Sequence, residues 1–138
     1  MAVDMLSGAV EWAHALHKSP ATWLPVSMLD ARGIIGPVRV KGTGPCPMCA
    51  HLHRIDADEQ WHEVAQRASE ASRPGDPVTR TAVVMHAVVT IRRLMGRPTP
   101  PGAPRTRPLA GELKEVDLYG VEQHRLVLEH PRCPYCRG

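Results

Sequence analysis

The sequence predicts an α+β domain in which two to three helices and two β-hairpins are held together by cysteines. Apolar residues recur at helical spacing in three segments, and short apolar runs bounded by Gly and Pro predict the hairpins. Two Cys-x-x-Cys pairs lie in the middle of the chain and at its end. The length fits one domain, residues 1–138. Since the chain has no Phe and only 4% aromatic residues, we expect its hydrophobic core to need an additional cross-link for stability.

The first third of the chain predicts a helix and a hairpin. Helical spacing of apolar residues indicates a helix over residues 4–17. Residues 23–29 and 34–40 each predict a short strand, and residues 30–33 predict the turn between them. We expect the second strand to be irregular at Gly36-Pro37, because proline cannot donate to a strand ladder.

Two further helices are predicted in the middle of the chain. The helical pattern begins at residue 56. One apolar stripe of this helix is formed by Trp61, Val64, Ala65, Ala68 and Ala71. The second helix covers residues 78–95, with Asp76 as N-cap and Pro77 at the first helical position. It is apolar almost all round, which predicts either a buried helix or an interface helix.

The last third predicts an irregular loop and a second hairpin. Residues 96–111 hold five prolines, three glycines, three arginines and no acidic residue, which is typical of a loop without regular structure. Residues 113–119 and 124–129 predict two strands that turn at Gly120-Val121.

The cysteines carry the most specific chemical signal. They form two knuckles, residues 46–49 and 133–136, and in each a proline follows the first cysteine. Two such knuckles can complete a tetrahedral thiolate site for zinc, and four thiolates leave no open position for substrate or water. We therefore predict one structural Zn²⁺ ion with four ligands: Cys46, Cys49, Cys133 and Cys136. Iron in the same cage, a thioredoxin-type redox pair and four separate core cysteines are the alternatives.

The histidines and acidic residues near the knuckles are predicted to have supporting roles. Three histidines flank the knuckles: His51, His53 and His130. We expect them to support the metal site or to lie on the surface, and we expect His86 to be a core residue. Three acids precede the helix that begins near residue 56: Asp56, Asp58 and Glu59. They are expected to complement its positive end.

Several function classes are disfavoured by composition and motifs. The net charge of +3 is too small to indicate a nucleic-acid-binding protein. The sequence has no apolar run long enough for a membrane span and no recognisable signal peptide, so we expect a cytoplasmic protein with reduced cysteines. Neither the dinucleotide-binding glycine motif nor the P-loop motif is present. We assign no catalytic residue, and enzyme activity stays open.

The first knuckle and its surroundings resemble a known family. The residues read G-P-C-x-x-C-x-x-x-H-R-x-D-x-x-x-x-W from Gly44 to Trp61, and residues 130–136 are similar to the C-terminal knuckle of the same group. These are ThiF-type proteins, related to ubiquitin-activating enzymes, that occur in bacterial clusters for azole-containing, ribosomally synthesised and modified peptides (RiPPs). They are described as cyclodehydratase partner or leader-peptide-binding proteins that act with YcaO enzymes. The resemblance covers about residues 23–136.

This resemblance implies a fragment of a ThiF-like α/β fold that corresponds to the C-terminal half of the relatives, with zinc bound by the four cysteines. The relatives' winged-helix module and nucleotide-binding half precede this region, so neither peptide binding nor adenylation carries over. The expected function is a non-catalytic, zinc-stabilised accessory protein that docks with a YcaO-type enzyme or its precursor peptide. We expect a homodimer or a hetero-complex. The alternatives are half of a split adenylating enzyme, with a separate ThiF-like half as partner, and a zinc-ribbon nucleic-acid-binding protein.

Overall fold

The computed structural model describes residues 2–3, 8–29, 31–70, 76–97, 100–102 and 107–136. The helices of this part are α1 (Ala9–Leu16), α2 (Pro47–Ala57), α3 (Trp61–Glu70) and α4 (Pro77–Leu94). The strands are β1 (Ala2–Val3), β2 (Pro25–Leu29), β3 (Arg32–Ile35), β4 (Glu112–Asp117) and β5 (Glu122–Leu126). The architecture is α+β, which confirms the predicted fold class.

The described strands form one five-stranded sheet in chain order. Strand β1 runs parallel to β2, and each of the other neighbouring pairs is antiparallel. Both predicted hairpins are present, as β2–β3 and β4–β5. They are joined into a single sheet because β3 pairs with β4, with Ile34 opposite Glu115.

Backbone irregularity separates β3 from the residues that follow it. The strand ends at Ile35, and the Gly36–Pro37 peptide bond is cis. The chain then pairs again through the Trp23–Arg39 bridge. The irregularity predicted at Gly36-Pro37 is therefore confirmed. The predicted turn is partly wrong, because Arg32 and Gly33 belong to β3. A side chain at Gly33 would overlap Val83, so the glycine allows α4 to lie directly on the sheet.

The two faces of the sheet carry different helices. Consecutive strand residues point to opposite faces. Ile35 belongs to a core cluster with Val83 and Ala87 of α4, whereas its neighbour Ile34 belongs to a cluster with Trp61 and Ala65 of α3. The predicted stripe of α3 is therefore confirmed for its described side chains. The side chain of Ala68 and all of Ala71 lie outside the described residues.

Helix α4 begins as the sequence predicts. The Asp76 carboxylate accepts a hydrogen bond from the Thr79 backbone N–H at 2.9 Å, and Pro77 is the first helical residue. Of the two predicted roles of this helix, the fully buried one is wrong, because the sheet covers only one of its sides, and the role as an interface helix stays a prediction. Four side chains of the opposite side are 43–62% exposed: Val84, Met85, Val88 and Val89. We call these four residues the α4 outer face.

Helix α2 is absent from the sequence prediction, because the helical pattern begins only at residue 56. It follows Cys46 directly, with Pro47 at its first position, and it packs against α1. After Cys49, half of its residues are His, Arg or Asp and only Leu52 and Ile55 are large and apolar, so it lacks the continuous apolar stripe that reveals an amphipathic helix. Tertiary contacts therefore decide its conformation.

The predicted loop over residues 96–111 is described only in part, because residues 98–99 and 103–106 lie outside the described residues. Its described remainder contains no helix or strand beyond the end of α4. Among the described helices, none combines the length and the apolar character that crossing a membrane requires.

Candidate metal centre

The four cysteine sulfur atoms converge at one point. The Sγ atom of Cys46 lies 3.7 Å from that of Cys49 and 3.5 Å from that of Cys133. The Sγ atoms of Cys49 and Cys136 are 3.5 Å apart, and all four lie within 4.8 Å of one another. A tetrahedral ion with metal–sulfur bonds near 2.3 Å requires sulfur–sulfur distances of about 3.8 Å. The arrangement fits a bound metal ion and excludes disulfides, whose sulfur atoms lie only about 2.05 Å apart.

Local structure brings the two knuckles to this point. Cys46 occupies the N-cap position of α2 and Cys49 lies in its first turn, so both thiols sit at the same helix end. Cys133 follows a turn in which its backbone N–H donates to the His130 carbonyl at 3.0 Å. Cys46 and Cys133 are 87 positions apart, so a metal ion would tie the middle of the chain to its end.

The electrostatic surroundings favour thiolate at Cys49. The Cys46 thiol donates to the Cys49 sulfur at 3.7 Å. This bond, with smaller contributions from the backbone of His130 and Cys46, outweighs burial and lowers the pKa of Cys49 to about 4, while the same bond raises the pKa of Cys46. Burial raises the pKa of Cys136. A sulfur that already carries negative charge at neutral pH is the form that binds a metal ion.

The centre is covered from one side by α1. Ala13 is fully buried and packs with Cys46, Cys49 and Cys133 in one cluster. Three of the cysteines are buried, and Cys136 is half-buried. This sulfur cluster therefore forms a small core of its own, separate from the clusters on the two faces of the sheet.

An ion-paired clamp supports the C-terminal knuckle. His130 is 1% exposed, and its Nδ1 accepts a hydrogen bond from the Arg132 backbone N–H, so its Nε2 donates to the Asp56 carboxylate at 2.8 Å. The Arg132 guanidinium also pairs with Asp56. The hydrogen bond from His130, together with the charge of Arg132, lowers the pKa of Asp56. The clamp thus holds α2 against the segment that carries Cys133.

This finding corrects the expectation for the acidic residues. Helix α2 ends at Ala57, so Asp56 lies in its last turn and does not precede a helix. Its carboxylate instead binds His130 beside the C-terminal knuckle. Asp58 does meet the expectation, since its carboxylate accepts from the Gln60 backbone N–H at 2.9 Å beside the start of α3. A signal for the clamp exists in the sequence. Asp56 lies seven residues after Cys49, which is two turns along the same face once residues 47–57 are taken as a helix.

None of the described histidines belongs to the converging group of metal ligands. His53 Nε2 bonds to the Leu128 carbonyl at 3.0 Å, and its ring lies 4.6 Å from that of His130. Burial lowers the pKa of His51. His86 is half-buried and faces Glu122 at 3.5 Å, so the expected core position is only partly correct. Within the part of the chain that the structure describes, the converging metal-ligating group consists of the four cysteines.

Comparison with known proteins identifies the fold. No protein-family model and no curated protein sequence matches the chain. A heterocyclase solved in complex with substrate and cofactor matches 97% of this chain with a TM-score of 0.67 and 21% identity. Escherichia coli MccB with MccA-N7isoASN matches 91% with a TM-score of 0.59 and 14% identity. The microcin C7 biosynthetic enzyme MccB in complex with N-formylated MccA matches 91% with a TM-score of 0.56 and 15% identity.

The chain shares its fold with parts of these enzymes. It spans 20% of the heterocyclase and 35–36% of the two MccB chains. These structural neighbours agree, at the level of the fold, with the resemblance that the knuckle residues indicate.

Proposed function

We propose that the protein is a non-catalytic accessory protein of RiPP biosynthesis that docks with a YcaO-type peptide-modifying enzyme or with its precursor peptide. The single observation that carries this proposal is the match of 97% of the chain to one fifth of a heterocyclase that was solved with its substrate and cofactor. In this proposal residues 1–138 act as one domain whose task is to bind and position other molecules.

The proposal includes one structural zinc ion on Cys46, Cys49, Cys133 and Cys136. Sulfur–sulfur distances of 3.5–3.7 Å are supporting evidence, as is the chemistry of four thiolates, which fits zinc well. When bound, the ion has a closed coordination sphere and supplies folding energy rather than Lewis-acid chemistry. The chain's own residues do the remaining work, since α1 covers the cluster and the Asp56 clamp fixes the second knuckle.

The α4 outer face supports a protein partner. Its four apolar side chains are 43–62% exposed, and no described element covers them. Helix α4 carries arginines and no acidic residue, so a partner that offers an apolar strip with flanking carboxylates would complement it. Contiguous exposed apolar surface of this kind is typical of interaction sites.

A second candidate is one half of a split adenylating enzyme. The observation in its favour is that MccB was also solved with ATP. That structure matches 91% of this chain with a TM-score of 0.55. The chain spans 33% of that protein and contains no glycine-rich phosphate motif, so ATP would have to be held by another chain.

Capture experiments with a variant of α4 test the docking proposal. The tagged chain and the same chain with Val88→Asp are each incubated with the YcaO-type enzyme and the precursor peptide from the native host. We expect Val88→Asp to reduce capture at least tenfold while zinc content and melting temperature stay unchanged, because Val88 is half exposed. Lys18→Glu, on an exposed residue after α1, is the control that should bind normally.

If Val88→Asp captures as much partner as the native chain does, the α4 outer face is not the docking surface. Capture of a nucleotide-binding protein instead, with ATP turnover that appears only in the complex, would support the split enzyme.

A further inference from the structure

A small cavity lies where the first turns of α1 and α2 approach strand β2. Its volume is about 20 Å³, which is room for one water molecule or a group of similar size. Its polar lining residues are Trp23, Ser27 and Arg54, and the other lining residues are Ala, Gly and Pro. No carboxylate lines this cavity. It is separate from the four cysteines, none of which contributes to its wall.

One hydrogen-bond donor of this lining is buried without a partner. Trp23 is only 8% exposed, and its Nε1–H group makes no hydrogen bond. A buried polar group without a partner costs about 1–3 kcal/mol, so native structures almost always satisfy it with protein, water or ligand. Ser27, which is 5% exposed, adds a hydroxyl group to the same wall.

Arg54 is the second unusual residue of the cavity. Three described arginines are buried or half-buried: Arg39, Arg54 and Arg93. Arg39 donates to the carbonyls of Gly44 and His17, and Arg93 pairs with Glu112. The Arg54 guanidinium stacks 5.2 Å from the centre of the Trp61 ring but has no hydrogen-bond acceptor within the described residues.

Burial accordingly lowers the pKa of Arg54, and Glu115 offsets this only at long range. A largely buried cation without an acceptor is costly, which favours an anionic partner that is not part of the described chain.

One helix end adds to the positive field in the cavity. Ala9, the first residue of α1, lines the wall. A helix N-terminus carries a partial positive charge and attracts anions. The guanidinium, the indole N–H, the hydroxyl and the α1 end thus favour a negative charge at the same place, whereas the α2 end already faces the cysteine sulfur atoms.

We propose that this cavity binds a carboxylate group. The cavity is partly open to solvent, so one carboxylate oxygen can take the space of a single water molecule while the rest of the group lies at the opening. A planar carboxylate also matches the fork of the Arg54 guanidinium and can accept from the Trp23 indole at the same time. The carboxylate belongs either to a small free acid or to a peptide whose acidic group enters the cavity. This site depends neither on the metal ion nor on the proposed accessory function.

The experiment follows the indole N–H resonances of the full chain, which has three tryptophans, during titration with sodium formate. We expect a saturable shift of the Trp23 resonance, assigned with Trp23→Phe, and formate affinity at least tenfold lower in Arg54→Met. Arg92→Met, on an exposed arginine of α4, is the matched control and should bind formate normally. Formate should also raise the melting temperature of the native protein but not that of Arg54→Met.

Further measurements decide between the sources and cover a misfolded variant. If Arg54→Met does not fold, Ser27→Ala should still weaken formate binding several-fold. N-acetylglycine, which mimics a peptide C-terminus, is titrated in parallel: saturable binding assigns the cavity to peptide carboxylates, whereas binding of formate alone assigns it to small free acids.

The proposal is overturned if the Trp23 resonance does not respond to formate, since the cavity then holds a water molecule only. An equal response to sodium chloride at the same ionic strength, or unchanged formate affinity in folded Arg54→Met, would also overturn it.

Discussion

Replacing Cys133 by serine removes one of the four converging sulfur atoms with little change in side-chain volume. Cys133 is 2% exposed, and its Sγ lies 3.5 Å from that of Cys46. Three thiolates and a hydroxyl bind zinc far more weakly than four thiolates, because zinc prefers charged sulfur ligands. We expect Cys133→Ser to lose the metal and much of the fold.

The size of the effect follows from coupling between metal binding and folding. Structural zinc contributes about 10–16 kcal/mol in small metal-dependent domains, which is comparable to the total stability of about 5–15 kcal/mol of an ordinary domain. A lower bound for the loss of unfolding free energy is about 4 kcal/mol, which is the stabilisation that zinc provides when its free concentration is 1,000 times its Kd. For a chain of 138 residues this corresponds to a drop in Tm on the order of 15 °C or more.

The assay combines thermal melting by circular dichroism with zinc counted by elemental analysis. Pro134→Ser is the matched control, because it introduces the same side chain at the exposed neighbouring position of the knuckle. We expect this control to keep its zinc and to melt close to the native protein. The reasoning is refuted if Cys133→Ser stays folded with an unchanged melting curve.

Two further predictions concern the ion pairs that fix the elements. Asp56→Asn should speed zinc release to a chelator about tenfold, because it removes the carboxylate charge that holds His130 and Arg132. Glu59→Gln, at an exposed position, is the control and should release zinc at the native rate. Equal release rates for the two variants would contradict this. Glu112→Gln should destabilise the fold by about 1.5 kcal/mol at neutral pH, because Glu112 pairs with Arg93 at 2.8 Å and accepts from the Leu109 N–H. Burial raises the pKa of Glu112, but these bonds outweigh it and lower the pKa, so the stabilisation is present above the unfolded pKa of about 4.3 and is lost as pH falls through the folded value. The difference between the melting curves should therefore be largest at neutral pH and shrink in acid as the pH falls through the folded pKa of Glu112, and a difference that does not depend on pH would refute the ion pair.

Elements with strong local signals could be predicted from the sequence. The start of α4 follows from Asp76 and Pro77, whose capping and φ preferences act within one turn. The β2–β3 hairpin follows from two short apolar runs and the turn residues between them. The second hairpin follows from its turn residues, although β5 lies at Glu122–Leu126 and not at the predicted 124–129. The convergence of the cysteines was also predicted, since two paired knuckles have few other uses.

Features that depend on distant contacts could not be predicted in this way. Helix α2 has no apolar stripe, so its conformation is decided by packing on α1 and by the cysteines at its start. The pairing of β3 with β4 joins residues about 80 positions apart, and no local pattern encodes it. The exposure of the α4 outer face depends on what the rest of the chain covers, which composition alone does not give.

The Arg54 cavity shows the same limit for a candidate site. Its donors come from the segment before β2, from the middle of β2 and from α2, and the sequence shows only a tryptophan and an arginine about 30 positions apart. The resemblance includes Arg54 in its string but gives it no role. Among the buried and half-buried arginines of the described residues, Arg54 differs from Arg39 and Arg93 in having no hydrogen-bond acceptor.

The central claim is that a zinc-stapled domain serves a peptide-modifying enzyme, and one purification tests it most directly. The tagged chain is isolated from its native host, and bound zinc and co-eluting proteins are determined in the same eluate. We predict one zinc ion per chain together with a YcaO-type enzyme or a short precursor peptide. A metal-free chain, or a chain that co-elutes with nucleic acid and with neither of these partners, would contradict the account.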